Sequence, residues 1–339
     1  MTESKANLPR LRDEPATLQR LIADAASWLD VSQEFVEKDF WATELLRAIS
    51  TGTHIATSGG GDDSVRVIFK GGTSLSRAYR IIERFSEDID ILVVFPKGSS
   101  IGARDKAMKR LTELACVHLG LAPQDCEARE STRGVKRNTR FRYPRAYPNL
   151  DTSETLLLEM GSRGGPYPTH QRSVTSTVAE YALAQLGEGP EVWEEFAPVS
   201  VEVLAPERTL LEKLELLHDL AVRFDGDEKA RNSMALAGRH YYDIHCLLRS
   251  EDIRKELEKI GHGGVSDLVD DINSRSESAG WSFTDRPARG FAQSLAFVLD
   301  SPSADTARRS YEVASSMIFG EVPSFDACVE TVGKFGYLL

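Results

Sequence analysis

The 339-residue sequence lacks the features of membrane and secreted proteins. No apolar run approaches the roughly 18 residues that a membrane-spanning helix needs, and the first residues, MTESKANLPRLRDEP, contain no apolar secretory core. Cysteine is also scarce, since only four are present, and none has the C-x-x-C spacing of a zinc site. These absences predict a cytoplasmic protein without a transmembrane helix, with all four cysteines (116, 126, 246 and 328) reduced.

Positive charge is in short supply as well. The chain has 41 Lys and Arg against 52 Asp and Glu, for a net charge of −11, which disfavours general nucleic-acid binding. One segment reverses this sign, because residues 129–145 hold seven basic residues and a single acid, Glu130. Its arginines alternate with aromatic residues, as on a strand. The segment is either a surface for RNA phosphates or a solvated basic hairpin. The candidate RNA contacts are Arg137, Arg140 and Arg142.

The most informative stretch is KGGTSLSRAYRIIERFSEDIDILV, residues 70–93. The residues before it (65–69) favour a β-strand and those from 89 to 95 are almost wholly apolar, so both flanks are predicted core strands. Leu75, Ala78 and Ile82 recur at helical spacing between them. The order is therefore strand, tight turn, helix, strand.

The glycines of this stretch stand where the chain must turn and where a ligand can come close to the backbone. Free N–H groups and hydroxyls at such a turn suit phosphate oxygens. The alternative is a simple turn with a helix cap. The candidate nucleotide-binding residues here are Gly71, Gly72, Thr73 and Ser74.

Asp88 and Asp90 strengthen the nucleotide interpretation. Residues two apart on a strand share a face, about 6.6 Å apart, so two carboxylates face one way while Ile89 and Ile91 face the other. At that distance they repel by about 2 to 3 kcal/mol, which a cation would relieve, and Mg²⁺ is the expected ion. The alternatives are solvated acids at a strand end, or ion pairs with Arg84 and Arg80.

Together these motifs resemble the polymerase-β-like nucleotidyltransferase superfamily. More narrowly, KGGTSL followed by RFSEDIDI resembles the AbiEii/AbiGii group of toxin nucleotidyltransferases, which includes the MenT-like toxins. The segments VEKDFWATELL, TLLLEM, LAPERTLLEKLELL and RHYYDIHCLL agree more loosely, so the resemblance covers roughly residues 30–250. It implies a magnesium-dependent enzyme that uses a nucleoside triphosphate.

The resemblance also assigns four further site residues, each with a structural alternative. Glu159 corresponds to the third metal-binding carboxylate, or else is a strand-edge acid paired with Arg163. Lys213 lies on the apolar stripe of a predicted helix and corresponds to the triphosphate-contacting lysine, or else extends toward Asp219. Asp243 corresponds to the active-site aspartate that orients the lysine or accepts a proton, or else pairs with Arg239. Ser86 either touches the nucleotide or caps a turn.

Strands concentrate in residues 65–205 and helices elsewhere, which predicts an α+β fold. The expected parts are an N-terminal tail with helices (1–50), a polymerase-β-like catalytic domain with a mixed sheet (51–205) and a helical C-terminal domain (206–339). The resemblance further implies that the protein is a toxin of a toxin–antitoxin or abortive-infection system. Such a toxin would transfer a nucleoside monophosphate to an RNA 3′ end, with tRNA as the favoured acceptor, and a cognate antitoxin is a candidate partner. The alternatives are transfer to a protein or small-molecule hydroxyl, and a protein that binds the triphosphate without turnover.

Overall fold

The computed structural model describes residues 8–56, 62–86, 88–147, 154–278, 280 and 283–339. The first seven residues of the predicted N-terminal tail lie outside these ranges. None of the described helices is both long and apolar enough to cross a membrane. By contact, the chain divides into a sheet unit (Met1–Thr73, Glu87–Ser162 and His170–Val203) and a helical unit (Ser74–Ser86, Arg163–Thr169 and Leu204–Leu339).

The sheet unit is built on a mixed sheet. Eight strands lie within the described residues: β1 (Thr53–Ala56), β2 (Asp62–Lys70), β3 (Asp88–Val94), β4 (Cys126–Thr132), β5 (Lys136–Phe141), β6 (Leu156–Gly161), β7 (Thr169–Val174) and β8 (Val199–Leu204). Their order is β4-β5-β6-β3-β2-β8-β7, with β1 added beside β2. Strand β3 is antiparallel to β2 and parallel to β6, and β5 is antiparallel to β6. The central strands β3 and β6 therefore run side by side in one direction.

One face of this sheet is its core side. Alternate residues such as Phe69, Ile91 and Leu158 point there and are at most 2 % exposed, as expected for β-formers at a spacing of two. The sheet unit also contains the helices α1 (Pro15–Leu29), α2 (Gln33–Ile49), α4 (Ile101–His118) and α5 (Thr177–Tyr181). Helix α2 contacts β6, and α4 contacts β1 and β5.

The helical unit has its own apolar core. It comprises α6 (Pro206–Arg223), α7 (Glu228–Met234), α8 (Arg239–Arg249), α9 (Glu251–Ser278), α10 (Ala304–Ser315) and α11 (Phe325–Lys334). Leu210, Leu214 and Leu217 of α6 are fully buried in this core, which confirms the stripe that their helical spacing predicts. Together with the mixed sheet, this region confirms the predicted α+β fold with a helical C-terminal part.

The predicted helix between β2 and β3 is too long. Helix α3 (Gly71–Arg77) ends well before Ile82, and Arg80 has a left-handed φ of 55°, a conformation that does not continue a right-handed helix. Leu75 and Ile82 nevertheless are both buried in the core of the helical unit. The apolar spacing of Leu75 and Ile82 therefore corresponds to their burial in one core and not to their position on one continuous helix.

The prediction of four reduced cysteines is wrong for one pair. Cys116 near the end of α4 and Cys126 at the start of β4 form a disulfide with a Cα–Cα distance of 6.2 Å. Ten residues separate them, and the turn between helix and strand brings their backbones together, which the sequence spacing alone does not show. Cys246 and Cys328 are free thiols.

Candidate active site

Strand β3 presents its two aspartates on one face of the sheet. Asp88 and Asp90 are half-buried, while Ile89 and Ile91, between and after them, are 2 % and 1 % exposed on the opposite face. The alternation predicted from the sequence is thus the alternation of the strand. The aspartates occupy the face opposite the core side, which we call the carboxylate face.

The sheet register brings a third acid to the carboxylate face. Asp90 lies directly across from Glu159 on the parallel strand β6, and Asp88 lies across from Leu157. The pKa of the Glu159 carboxyl is raised, first by burial and then by the negative charges of Asp90 and Asp88. Asp90 also shares a side-chain hydrogen bond with Glu159. The three predicted acids therefore lie on one face, where the charges of Asp88 and Asp90 act on Glu159, and we call them the acid cluster.

Gly71 lies against this cluster. Helix α3 begins at Gly71, directly after β2, and the residue has a φ of +77°, which glycine adopts with little strain. A Cβ atom at this position would overlap the Oδ2 atom of Asp90. The glycine turn therefore lies close to an aspartate of the cluster, while the predicted approach of a ligand to this turn stays a prediction.

The hydroxyl of Thr73 joins the turn to the aspartate strand. It donates a hydrogen bond of 2.6 Å to the backbone carbonyl of Asp88. Thr73 and Ser74 are 7 % and 0 % exposed, and Gly72 is also buried. Of the four predicted phosphate-binding residues, Gly71 is the most open, and Thr73 has the added role of fixing α3 onto β3.

Lys213 and Asp243 form an ion pair within the helical unit. Lys213 Nζ lies 2.9 Å from Asp243 Oδ2 and 3.1 Å from His240 Nδ1. Arg84 binds the same carboxylate through Nε and Nη2. The partners that the sequence offered as alternatives, Asp219 for the lysine and Arg239 for the aspartate, are not the ones that these contacts select.

Burial and charge decide the protonation of this group. The pKa of Lys213 is lowered, mainly by burial, and the pKa of His240 is well below its ordinary value because of burial and the lysine charge. The pKa of Asp243 is lowered because Arg84 and Lys213 together outweigh its burial. Asp243 is thus a weak base whose oxygens are already engaged, so orienting Lys213 suits it better than accepting a proton. Ser86, two residues after Arg84, is half-buried.

The register separates the three candidate RNA-binding arginines. Arg140 pairs with Leu157, so it points to the carboxylate face. Arg137 points to the opposite face, where its Nε donates to Thr112 of α4. Arg142 follows the end of β5 and is exposed. Lys136, also on the carboxylate face by parity, lowers the pKa of Glu159 through its charge.

Two site residues were missed from the sequence. Asn138, opposite Glu159, donates from Nδ2 to Glu159 Oε1 at 2.7 Å, and Arg84 holds Asp243. Asn138 is two residues from Lys136 and two from Arg140, so strand parity places it on their face, but nothing in this spacing predicts a contact with Glu159. Arg84 belongs to the RFSEDIDI motif, whose sequence predicts a pairing only with the nearby Asp88 and Asp90.

The cluster suits a divalent cation shared with a substrate rather than one held by protein alone. Within the described ranges, no group of three or more His, Cys, Asp or Glu side chains could by itself hold a metal ion. Mg²⁺ is commonly bound through one or two carboxylates plus substrate phosphates. Asp88 and Asp90 can provide the two carboxylates. The raised pKa of Glu159 also reveals an excess of negative charge that a cation would offset.

A mixed sheet that carries Asp-x-Asp beside a glycine turn and a third acid on the next strand defines a nucleotidyltransferase type of site. The family model of the nucleotidyl transferase AbiEii toxin, of type IV toxin–antitoxin systems, matches residues 61–331. The chain therefore belongs to the AbiEii family of toxin nucleotidyltransferases, and the resemblance drawn from its motifs is confirmed.

Comparison with solved structures gives a weaker signal. MenT4, a nucleotidyltransferase toxin from Mycobacterium tuberculosis H37Rv, is 15 % identical over 97 % of this chain and 98 % of that chain, with a TM-score of 0.33. At that TM-score the match supports no residue-level argument. A search of curated proteins finds no match.

Proposed function

We propose that this toxin transfers a nucleoside monophosphate from a nucleoside triphosphate to the 3′ hydroxyl of an RNA, with tRNA as the acceptor. The acceptor oxygen gives up its proton to solvent and bonds to the α-phosphorus, while the bond from the α-phosphorus to the bridging oxygen breaks and pyrophosphate leaves with that oxygen. The observation that carries the proposal is the cluster of Asp88, Asp90 and Glu159 beside Gly71 on one face of the sheet. We place the reaction in the cytoplasm, where both substrates occur, with a cognate antitoxin as the expected partner.

The chain's own residues have separate tasks in this proposal. Asp88 and Asp90, with Glu159, would hold Mg²⁺, which when bound supplies positive charge to the phosphates and the attacking oxygen. The turn from Gly71 to Ser74 would receive the β- and γ-phosphates, because the N–H groups at the start of a helix suit phosphate oxygens.

The roles of the remaining residues rest on family membership. Lys213 would neutralise charge on the departing pyrophosphate, Asp243 would orient it through their 2.9 Å ion pair, and Ser86 would contact the nucleotide.

The basic residues on the carboxylate face favour a polyanionic acceptor. Arg140 and Lys136 share that face with the acids, so an RNA backbone bound there would have its phosphates countered by positive charge close to the cluster. Arg142 is exposed at the end of the same strand and would extend this path. Arg137 stays a predicted contact, although its position on the opposite face argues against it. Among the three predicted arginines, Arg140 therefore gives the strongest support for an RNA acceptor.

The test is transfer of label from each of the four α-labelled triphosphates to total tRNA, with Mg²⁺ present or chelated. We expect labelled tRNA from the wild type with at least one triphosphate, and a loss of about a thousandfold or more in Asp88→Asn. Glu113→Gln, which changes an exposed acid of α4, is the matched control and should keep full activity. Label found in protein or small molecules but not in RNA would show that the acceptor is not RNA. Triphosphate binding without any release of pyrophosphate would show that the protein binds the nucleotide without catalysis.

A further inference from the structure

Asn138 lies in the same cross-strand row as the acids of the cluster. It faces Glu159 across the β5–β6 pair, and Glu159 faces Asp90 across the β6–β3 pair. Residues opposite each other in neighbouring strands point to the same side of a sheet. The Asn138 side chain therefore lies on the carboxylate face, and it is only 5 % exposed.

The two halves of the Asn138 amide are used unequally. Its Nδ2 donates to Glu159 Oε1 at 2.7 Å, whereas its Oδ1 is buried and has no hydrogen-bond partner among the described residues. A buried, unsatisfied oxygen costs about 1 to 3 kcal/mol. The Asn138 amide nevertheless keeps this orientation, because it places the NH₂ group as a donor against Glu159. In the reverse orientation the amide oxygen would face the carboxylate and repel it.

This bond restrains the Glu159 carboxyl group. With Oε1 held by Asn138, the group cannot rotate freely, and it stays beside Asp90, which lies across from Glu159 on the neighbouring strand. Partners of this kind orient metal-binding carboxylates in many proteins, and their loss typically weakens metal binding 10- to 100-fold. Glu159 has a longer, more flexible side chain than aspartate, so it has more rotational freedom to lose.

We infer that Asn138 is a positioning residue of the active site, which holds the Glu159 carboxylate in place as a cation ligand. The inference rests on the proposed function, because it takes the acid cluster as the cation site. Asn138 itself touches no reacting atom in this role. Its removal should therefore weaken cation binding without abolishing folding.

The experiment is Mn²⁺ titration of the purified full-length protein in the presence of nucleoside triphosphate analogues that cannot release pyrophosphate, because the cation site is completed by substrate phosphates. Binding is followed by electron paramagnetic resonance, with thermal melting of each variant as a folding check. Asn138→Leu has nearly the same size but no hydrogen-bonding group, and we expect about tenfold weaker Mn²⁺ binding. Asn138→Ser, whose hydroxyl is too short to reach Glu159, should show the same loss and serves if the leucine variant misfolds.

Thr139→Val is the matched control. Thr139 is the next residue on β5, is fully buried and has a hydroxyl without a partner among the described residues, but it points to the opposite face. The Thr139→Val variant should bind Mn²⁺ with wild-type affinity, whether or not its melting temperature changes. A folded Asn138 variant with wild-type Mn²⁺ affinity overturns this inference alone. Wild-type protein that binds no Mn²⁺ overturns the cation role in the proposed function and this inference with it.

Discussion

Arg84 donates from Nε and Nη2 to the two carboxylate oxygens of Asp243, at 2.6 and 2.8 Å, although 159 residues separate them. Lys213 adds a third contact, at 2.9 Å to Oδ2. The side chains of Arg84 and Asp243 are 4 % and 0 % exposed, so this carboxylate is a buried charge whose stability depends on its partners. A buried carboxylate with its partners in place is tolerated, whereas the loss of Arg84 removes two of its charge-assisted hydrogen bonds and one of its compensating charges.

Arg84→Met is therefore expected to lower the free energy of unfolding by about 3 to 5 kcal/mol, measured by urea denaturation. Arg110→Met, which changes an exposed arginine of α4, should cost little. Combining Arg84→Met with Asp243→Leu should not recover the lost stability, because the buried ammonium of Lys213 would then lose its carboxylate partner. Equal stability of the Arg84 and Arg110 variants would contradict this account.

The opposite faces of Arg137 and Arg140 predict different effects on RNA binding. Arg140→Ala should weaken RNA binding and reduce the slope of log affinity against log salt by about one, as the loss of one phosphate contact requires. Arg137→Ala should leave that slope unchanged, because its guanidinium bonds to Thr112 of α4. Salt titration of tRNA binding by fluorescence anisotropy checks both. A smaller slope for the Arg137 variant than for the Arg140 variant would reverse the assignment.

Glu215 on α6 should make stability fall as pH rises. It is 6 % exposed and both its oxygens lack hydrogen-bond partners among the described residues. Burial raises its pKa to about 8, with Asp219 and Asp285 acting in the same direction and Arg286 against them. The folded state thus keeps a proton that the unfolded state, with its ordinary glutamate pKa, has lost at intermediate pH.

The linkage has a definite sign and window. Between the ordinary pKa and about pH 8 the folded state binds the extra proton, so the free energy of unfolding decreases across that range, by a few kcal/mol at most, and levels off above it. Glu215→Gln should remove this part of the slope. Chemical denaturation of both proteins from pH 5 to 9 provides the measurement, and parallel curves would show that Glu215 is not the titrating group.

The Cys116–Cys126 disulfide predicts a redox-dependent stability. Reduction should lower the free energy of unfolding by about 2 to 3 kcal/mol, because a short closed loop is released in the unfolded chain. The double variant Cys116→Ser with Cys126→Ser should melt at the same temperature with and without reductant. Thiol counting in denaturant should find two thiols before reduction and four after it. Four thiols in the unreduced protein would exclude the bond.

Local features could be predicted from the sequence where the spacing of residues matches the period of the element they form, such as two residues in a strand. The alternation of Asp88 and Asp90 with buried isoleucines is a property of one strand, and the approach of Gly71 to Asp90 involves neighbouring elements. The edge strands β4 and β7 were not predicted, because CEAREST and THQRSV are polar and show no apolar alternation. Edge strands carry little apolar signal since they bury little surface.

Long-range pairings were beyond the sequence pattern. Arg84 has several acids nearby in the chain, and only tertiary packing selects Asp243 among them. The opposite faces of Arg137 and Arg140 follow from simple parity, but which face bears the acids depends on the register between β5 and β6. A shift of one residue would exchange the two arginines.

The tight contact between Gly71 and Asp90 has a genetic consequence. Cells that express a toxic protein survive mainly when a mutation has inactivated it. The mutated codons in surviving clones therefore identify positions where a change abolishes activity. Even alanine at position 71 would push the Asp90 carboxylate aside. Survivors from random mutagenesis should therefore carry changes at codon 71 nearly as often as at codons 88 and 90, although glycine has no functional group to lose.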